Sequence, residues 1–176
     1  MYLILLLTLT FCSKDSSEEK IQIEETENYK FEDLGSDAPY TYGKSYNGRN
    51  AYTTYYPGNI PIILSIPHGG DITPSEISNR TYGVTVTDSN TIELGIAISN
   101  YLFSNYSIRP YVIINNLKRT KLDANRDKTE AAQGNIFAER AFDEFHYYIG
   151  SARDEIIEKF NTGLLFDIHG HGANPD

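Results

Sequence analysis

Two histidines that lie far apart in the chain each follow a run of apolar residues and precede a glycine. His68 follows residues 60–66, and His169 follows residues 164–168. A lone histidine in such a place is usually a hydrogen-bonded structural residue. Two of them at one edge of a sheet suit a metal ion, because neutral imidazole nitrogen is a natural zinc ligand and the glycines leave room beside it. The pattern predicts a metal site formed by His68 and His169.

A catalytic zinc requires three protein ligands and one open position, so a third ligand must come from elsewhere in the chain. Asp71 stands three residues after His68, and one loop could offer both side chains. Asp88 precedes a predicted helix and could turn its carboxylate into the same cleft, although an aspartate there is also typical of a helix N-cap. The sequence leaves the choice between Asp71 and Asp88 open.

Further polar residues alternate with His169 along its predicted strand. Asp167 and His171 share its side of the strand because side chains two residues apart point the same way. We expect them to orient or polarise the metal ligands, and for Asp167 the alternative is a satisfied buried carboxylate. His146 lies among aromatic residues of a predicted helix and is interpreted as structural.

A cationic segment follows the second predicted strand. Residues 117–126 contain four Lys or Arg side chains, which could form an ordinary solvated loop. A guanidinium at a strand end can instead bind a substrate carboxylate through two parallel hydrogen bonds. Arg126 is the first candidate for this contact, together with the neighbouring Asn125, and Arg119 is the second.

The elements that position these residues can be read from apolar periodicity. Residues 60–66, 110–117 and 164–168 are predicted strands, and residues 89–104 and 131–160 are predicted helices. Residues 49–56 are predicted to form an edge strand. The alternation of strands and helices indicates an α/β domain with helical crossovers between parallel strands, whose ligand sites lie at the carboxyl ends of the strands.

The N-terminal part of the chain differs in composition from the rest. The net charge is −9, and the segment from Asp15 to Asp37, with nine acidic residues and two lysines, accounts for −7 of it. The remainder lacks the basic stripe that nucleic-acid binding requires. We therefore expect residues 13–37 to be an acidic disordered tether and residues 38–176 to form the folded part.

Residues 2–11 form an apolar run typical of a secretory signal, and the only cysteine, Cys12, follows it. The sequence Leu9-Thr10-Phe11-Cys12 resembles the lipobox of bacterial lipoproteins. This predicts a signal or lipoprotein segment over residues 1–12, membrane attachment through lipidated Cys12 and a location in the cell envelope. A plain cleaved signal or an uncleaved apolar tail is the alternative.

Four segments in order resemble the N-formylglutamate amidohydrolase family, over about residues 65–172. They are Pro67-His68-Gly69-Gly70, Thr87-Asp88-Ser89-Asn90-Thr91, Arg119-Thr120-Lys121-Leu122-Asp123-Ala124-Asn125-Arg126 and Asp167-Ile168-His169-Gly170-His171. The resemblance implies a three-layer α/β/α fold with a mixed, largely parallel central sheet, related to the zinc carboxypeptidases. It implies Zn²⁺ as the cofactor.

The resemblance also implies an activity, in which a metal-activated water cleaves an N-acyl group from an amino acid such as N-formylglutamate. His68 and His169 would hold the zinc with Asp88 or Asp71, and Arg126 would contact the substrate carboxylate. The family's general base comes from a later part of its fold, so we expect it beyond Asp176 and expect the domain to be incomplete at its C-terminus. Alternatives are an envelope peptide or cell-wall amide hydrolase and a non-catalytic module that binds metal or carboxylates.

Overall fold

A mixed β-sheet forms the centre of the fold. A computed structural model describes residues 34–35 and 38–170. The predicted signal or lipoprotein segment with Cys12, nearly all of the predicted acidic tether and His171 lie outside the described residues. The signal, lipidation and tether therefore stay predictions.

In the described part of the chain the sheet has five strands, in the order β1-β2-β4-β3-β5. The central pair β3 and β4 is parallel, and β5 is parallel to β3 on its other side. The pairs β1–β2 and β2–β4 are antiparallel. The strands are β1 Tyr46–Asn47, β2 Thr53–Tyr56, β3 Ile62–Ile66, β4 Tyr111–Asn115 and β5 Leu164–Asp167.

This topology confirms a mixed α/β domain, and the three predicted apolar strands are its parallel part. The sheet is not largely parallel, because half of the pairings between its described strands are antiparallel. The predicted edge strand over residues 49–56 is confirmed as a strand only over residues 53–56, which form β2, and β2 is not an edge strand. The short strand β1 covers the outer side of β2, and residues 49–51 form a 3₁₀ turn in which Asn50 takes a left-handed conformation, with φ of 52°.

Three helices accompany the described strands: α1 Thr91–Tyr106, α2 Lys128–Ala132 and α3 Ile136–Phe160. The predicted helix over residues 131–160 is thus two helices. The chain turns at Gln133 and Gly134, whose φ angles of 51° and 80° end α2. Asn135 then begins α3 by accepting backbone N–H groups of Phe137 and Ala138 on its side chain. In the described part of the chain, no helix is both long and apolar enough to cross a membrane.

The two faces of the sheet pack against different helices, because successive side chains of a strand point to opposite faces. Leu64 and Ile66 of β3 belong to a cluster that includes Ile92 and Ile96 of α1. Ile63 belongs to a larger cluster on the other face. The larger cluster contains side chains of α3, as the smaller one contains side chains of α1. Burial of each large apolar side chain stabilises the fold by about 1.5–3 kcal/mol, so this burial holds both α1 and α3 on the sheet. The larger cluster includes Tyr55, Tyr111, Ile113, Leu117, Leu122, Phe145, Tyr148, Ala152 and Ile156.

Strand β5 differs from the central strands in its exposure. All five residues of β4 are buried, whereas Leu164, Leu165 and Phe166 of β5 are each at least half exposed. Among the described strands, only β3 pairs with β5. Within the described residues, its outer edge and parts of both of its faces are therefore exposed to solvent.

Candidate metal centre

The parallel pairing of β3 and β5 brings the two predicted metal ligands together. Ser65 is aligned with Asp167, so the carboxyl ends of both strands reach the same edge of the sheet. His68 lies three residues after Ser65, and His169 lies two residues after Asp167. Their Nδ1 atoms are 3.2 Å apart. His68 is almost fully buried, and His169 is partly exposed, which leaves the pair accessible from one side.

Asp88 completes a group of three side chains that could hold a metal ion. Its Oδ2 atom lies 3.5 Å from Nδ1 of His68 and 3.3 Å from Nδ1 of His169. The same oxygen accepts the backbone N–H of Gly170 at 3.0 Å. A Cβ atom at residue 170 would come within 3.1 Å of the Asp88 side chain. The absence of a side chain at Gly170 therefore allows this close approach.

The size of this triangle matches a zinc site. At Zn–N distances of ~2.0–2.1 Å, the corners of a regular tetrahedron lie about 3.3 Å apart. The three edges between the same three ligand atoms are 3.2, 3.3 and 3.5 Å. Two imidazole nitrogens and one carboxylate oxygen are also a donor set that zinc accepts. The residues present thus fit one face of a tetrahedral zinc site with its fourth position open.

A buried aspartate fixes which nitrogen of His68 is free to bind metal. Nε2 of His68 lies 2.6 Å from Oδ1 of Asp123, whose side chain is fully buried. An ionised carboxylate only accepts hydrogen bonds, so Nε2 carries the proton that it donates to Asp123. In the neutral ring, the lone pair is then on Nδ1, which faces His169 and Asp88. A carboxylate behind a metal-binding histidine orients the ring and raises its basicity.

His169 has a matching arrangement behind it. Its Nε2 atom is 3.1 Å from the side-chain amide of Asn125 and 3.6 Å from Oδ2 of Asp167. The amide atom at 3.1 Å is Nδ2, which only donates, so the amide would accept a proton from Nε2 with its oxygen turned toward the ring, and Asp167 would accept it at closer approach. Nδ1 of His169 would then face the triangle with a free lone pair. Asp167 thus lies near the far nitrogen of His169, and its role in orienting that ring stays a prediction.

The charges around the triangle keep both aspartates ionised. Burial raises the pKa of Asp123, but hydrogen bonds from His68 and from Nε of Arg119, at 2.9 Å, outweigh it and hold that pKa well below its ordinary value. Burial likewise raises the pKa of Asp88. The Gly170 N–H, the two histidines and Arg119 lower it further than burial raises it. Both carboxylates are therefore anionic at neutral pH, as metal binding requires.

The other candidate residues lie at different distances from the triangle. Asp71 is exposed and does not belong to the group of His68, Asp88 and His169. Asp88 does not act as the helix N-cap, because residue 90 occupies that position and Asp88 points toward the histidines. His146 contacts the carbonyl oxygen of Ala124 through Nε2 at 3.1 Å, which agrees with a structural role.

The two candidate arginines differ in their surroundings. Arg119 is buried and pairs with Asp123 and, at 3.4 Å, with Asp88, so its guanidinium lies beneath the triangle. Arg126 is more exposed, and its Nε is 3.5 Å from Glu130. It directly follows Asn125, which contacts His169. Of the two, Arg126 is the arginine that a substrate in solution could reach.

Sequence reasoning missed two residues of this region. Asp123 was quoted only as part of the segment from Arg119 to Arg126, with no predicted role, yet its side chain contacts Nε2 of His68. Its flanking residues Leu122 and Ala124 are both buried, and a carboxylate between two apolar residues was the available signal. Arg80 was not considered at all, and no spacing along the chain links it to the histidines.

A small cavity lies beside the metal centre on the α3 face of the sheet, with a volume of about 200 Å³. It is bordered by Asn125 and Asp167, the two residues behind His169, and by Phe145, His146 and Leu165. The cavity is lined mostly by apolar side chains and lies next to Asn125 and Asp167, behind the predicted metal ligand His169.

The fold and site together define a mixed α/β domain with a candidate metal centre at the carboxyl edge of its parallel strands. Comparison of the chain with protein-family models, with curated proteins and with solved structures gives no match.

Proposed function

We propose that this protein is a zinc-dependent amidohydrolase that removes an N-acyl group, such as formyl, from an amino acid with a free carboxylate. The proposal includes membership of the N-formylglutamate amidohydrolase family. It also includes a three-layer α/β/α fold of the type found in zinc carboxypeptidases. Packing of α1 and α3 in core clusters on opposite faces of the sheet supports that fold.

The observation that carries the proposal is the triangle of His68, Asp88 and His169. Its edges of 3.2–3.5 Å fit three ligands of one tetrahedral zinc. Each of the two histidines has a polar partner on its far nitrogen. Three protein ligands with an open fourth position are typical of catalytic zinc, whereas structural zinc is usually closed by four.

Zinc in such a site supplies a Lewis acid and lowers the pKa of water toward ~7. The protein's own residues would fix where this chemistry occurs. Asp123 would hold His68 in the required tautomer, and Asn125 with Asp167 would do the same for His169. The family resemblance implies a further carboxylate that would accept the proton of water and pass it to the leaving nitrogen.

Substrate orientation would depend on Arg126 and Asn125. A guanidinium binds a carboxylate with two charge-assisted hydrogen bonds, which fixes both distance and direction. Arg126 is accessible and is joined to the metal centre through Asn125. It would anchor the carboxylate of the amino acid and bring the scissile amide to the open side of the triangle. Arg119 would support the site from below and not touch the substrate.

The test is metal content and hydrolysis by the full-length protein. We expect about one zinc per chain after growth with zinc, and release of formate from N-formylglutamate. His169→Ala should remove zinc and activity together, because two ligands cannot retain the ion. His146→Gln is the matched control, since that histidine lies outside the triangle.

Zinc content and substrate preference together also distinguish the amidohydrolase from the two alternative functions. Cleavage of peptides or cell-wall amides in place of N-formylglutamate would favour an envelope hydrolase. Bound zinc without hydrolysis of any N-acyl amino acid or peptide would indicate a binding module. A folded wild-type protein that binds no zinc would refute the proposal.

A further inference from the structure

Arg80 is a buried charged residue that the proposed chemistry does not use. Only 1% of its side chain is exposed to solvent. The side chain donates hydrogen bonds to three carbonyl oxygens, those of Val84 at 2.7 Å, Arg119 at 3.0 Å and Glu130 at 3.3 Å. These carbonyls belong to three separate segments, so a single side chain joins them.

The first of these segments carries Asp88. The loop of residues 81–88 has little apolar burial to hold it, since Tyr82, Val84 and Val86 are all largely exposed. Polar contacts therefore determine its course. Arg80 binds the loop at Val84, and the backbone N–H of Asp88 donates to the carbonyl of His68 at 3.0 Å.

The second segment carries the residues behind His68. The backbone N–H of Arg80 donates to Thr120 at 2.7 Å, and its side chain binds the carbonyl of Arg119. Its NH1 atom also lies 3.8 Å from Oδ2 of Asp123, the oxygen that Arg119 contacts. Asp123 is thus placed between two guanidinium groups while its other oxygen binds His68. Removal of the Arg80 guanidinium would take away a positive charge beside this carboxylate and leave space into which the carboxylate could move.

We propose that Arg80 is a positioning residue for the metal centre, because it fixes Asp88 through the 81–88 loop and His68 through Asp123. This inference rests on the proposed function, since it treats His68 and Asp88 as zinc ligands. Arg80 acts through these residues and touches neither metal nor substrate. Its loss should weaken zinc binding by the folded protein, beyond any loss of stability.

The test compares Arg80→Met with Arg140→Met in the full chain. Arg140 pairs with the fully buried Glu144 and belongs to helix α3, so its loss removes an arginine next to a buried carboxylate outside the metal centre. Zinc affinity is measured by competition with a chromophoric chelator, and folding is checked by circular dichroism. We expect Arg80→Met to weaken zinc binding by about 10–100-fold, the range for residues that support metal ligands, and Arg140→Met to change it by less than about twofold.

Arg80→Lys serves if the methionine variant does not fold. Lysine keeps a positive charge near Asp123 but cannot bind three carbonyls from one rigid plane. Loss of at least one net hydrogen bond predicts about threefold or greater weakening. Visible absorption of the Co²⁺-substituted protein gives a second readout, since a displaced ligand changes the spectrum.

Three results would overturn the inference, and they differ from one another. Wild-type protein that binds no zinc removes the proposed function and this inference together. The second result is that wild-type protein binds zinc and a folded Arg80 variant binds it equally well, with the same Co²⁺ spectrum. The proposed metal centre would then stand, and Arg80 would be a purely structural residue. Equal weakening by Arg140→Met would also overturn it, because general destabilisation would then explain the effect.

Discussion

The choice between Asp88 and Asp71 as the third ligand gives the sharpest test of the metal centre. Both are aspartates near His68, and the sequence did not separate them. Asp88→Asn removes the charge but keeps the shape, and the amide oxygen can still accept the Gly170 N–H. Asp71→Asn makes the same chemical change at an exposed residue outside the triangle. The pair therefore isolates the effect of the ligand position.

The expected size of the effect follows from the ligand count. Structural zinc sites with four ligands bind with about 10–16 kcal/mol, or about 2.5–4 kcal/mol for each ligand, so loss of one ligand corresponds to about 10²–10³-fold in affinity. Asp88 is one corner of the triangle and contacts both histidines through the same oxygen. We expect Asp88→Asn to lose affinity in this range and Asp71→Asn to stay within about threefold of wild type.

The assay is competition for zinc between the folded protein and a chelator of known affinity. Urea unfolding of the metal-free proteins shows whether either substitution alters the fold itself. Two results would refute Asp88 as the third ligand: Asp71→Asn weakens zinc binding as much as Asp88→Asn does, or both variants bind zinc like wild type. In either case the observed triangle would not be the coordinating group.

Two further predictions concern substrate and pH. Arg126→Ala should raise KM about 10–100-fold and leave the zinc content unchanged, because it removes a charge-assisted contact of ~1.5–3 kcal/mol. Steady-state kinetics and metal analysis test this. The control is Arg153→Ala, which replaces an exposed arginine of α3. Burial raises the pKa of Glu144 above its ordinary value of 4.5, despite the opposing hydrogen bonds from the Arg49 backbone. The folded state thus favours the protonated form, and its contribution to stability is lost as pH rises above 4.5. Urea unfolding at about pH 4 and about pH 7 should show Glu144→Gln gaining stability relative to wild type at the higher pH, and a relative loss there would contradict the assigned direction.

The sequence located the central elements because their signals are local. The strands β3 and β4 are rich in Ile, Val and Leu, as is typical of strands that are buried on both faces. The break between α2 and α3 was not predicted, although Gly134 lies there. The apolar periodicity of α3 extends close to the end of α2, so the short turn between them was included in one helix. Strand β1 has two residues and a polar composition, so no periodicity could reveal it.

The candidate site was predictable only in part, for a related reason. A histidine at the end of a predicted strand, followed by glycine, can be recognised in the sequence, so His68 and His169 could be predicted as metal ligands. The sequence does not show which way a loop turns, so it could not decide whether Asp71 or Asp88 is the third metal ligand. Asp123 lies behind His68 through a contact between residues 55 positions apart, and its role follows only from tertiary packing.

The open edge of β5 affects how the described domain behaves in solution. Its outer backbone N–H and C=O groups border three large, exposed apolar side chains, and an edge of this kind is a template for pairing with another extended strand. A groove of about 470 Å³ along one side, lined by residues of α1 and β5 and ending at His169, adds apolar surface. A protein limited to the described residues is expected to self-associate at this edge, and strand pairing there would also obstruct the approach to His169.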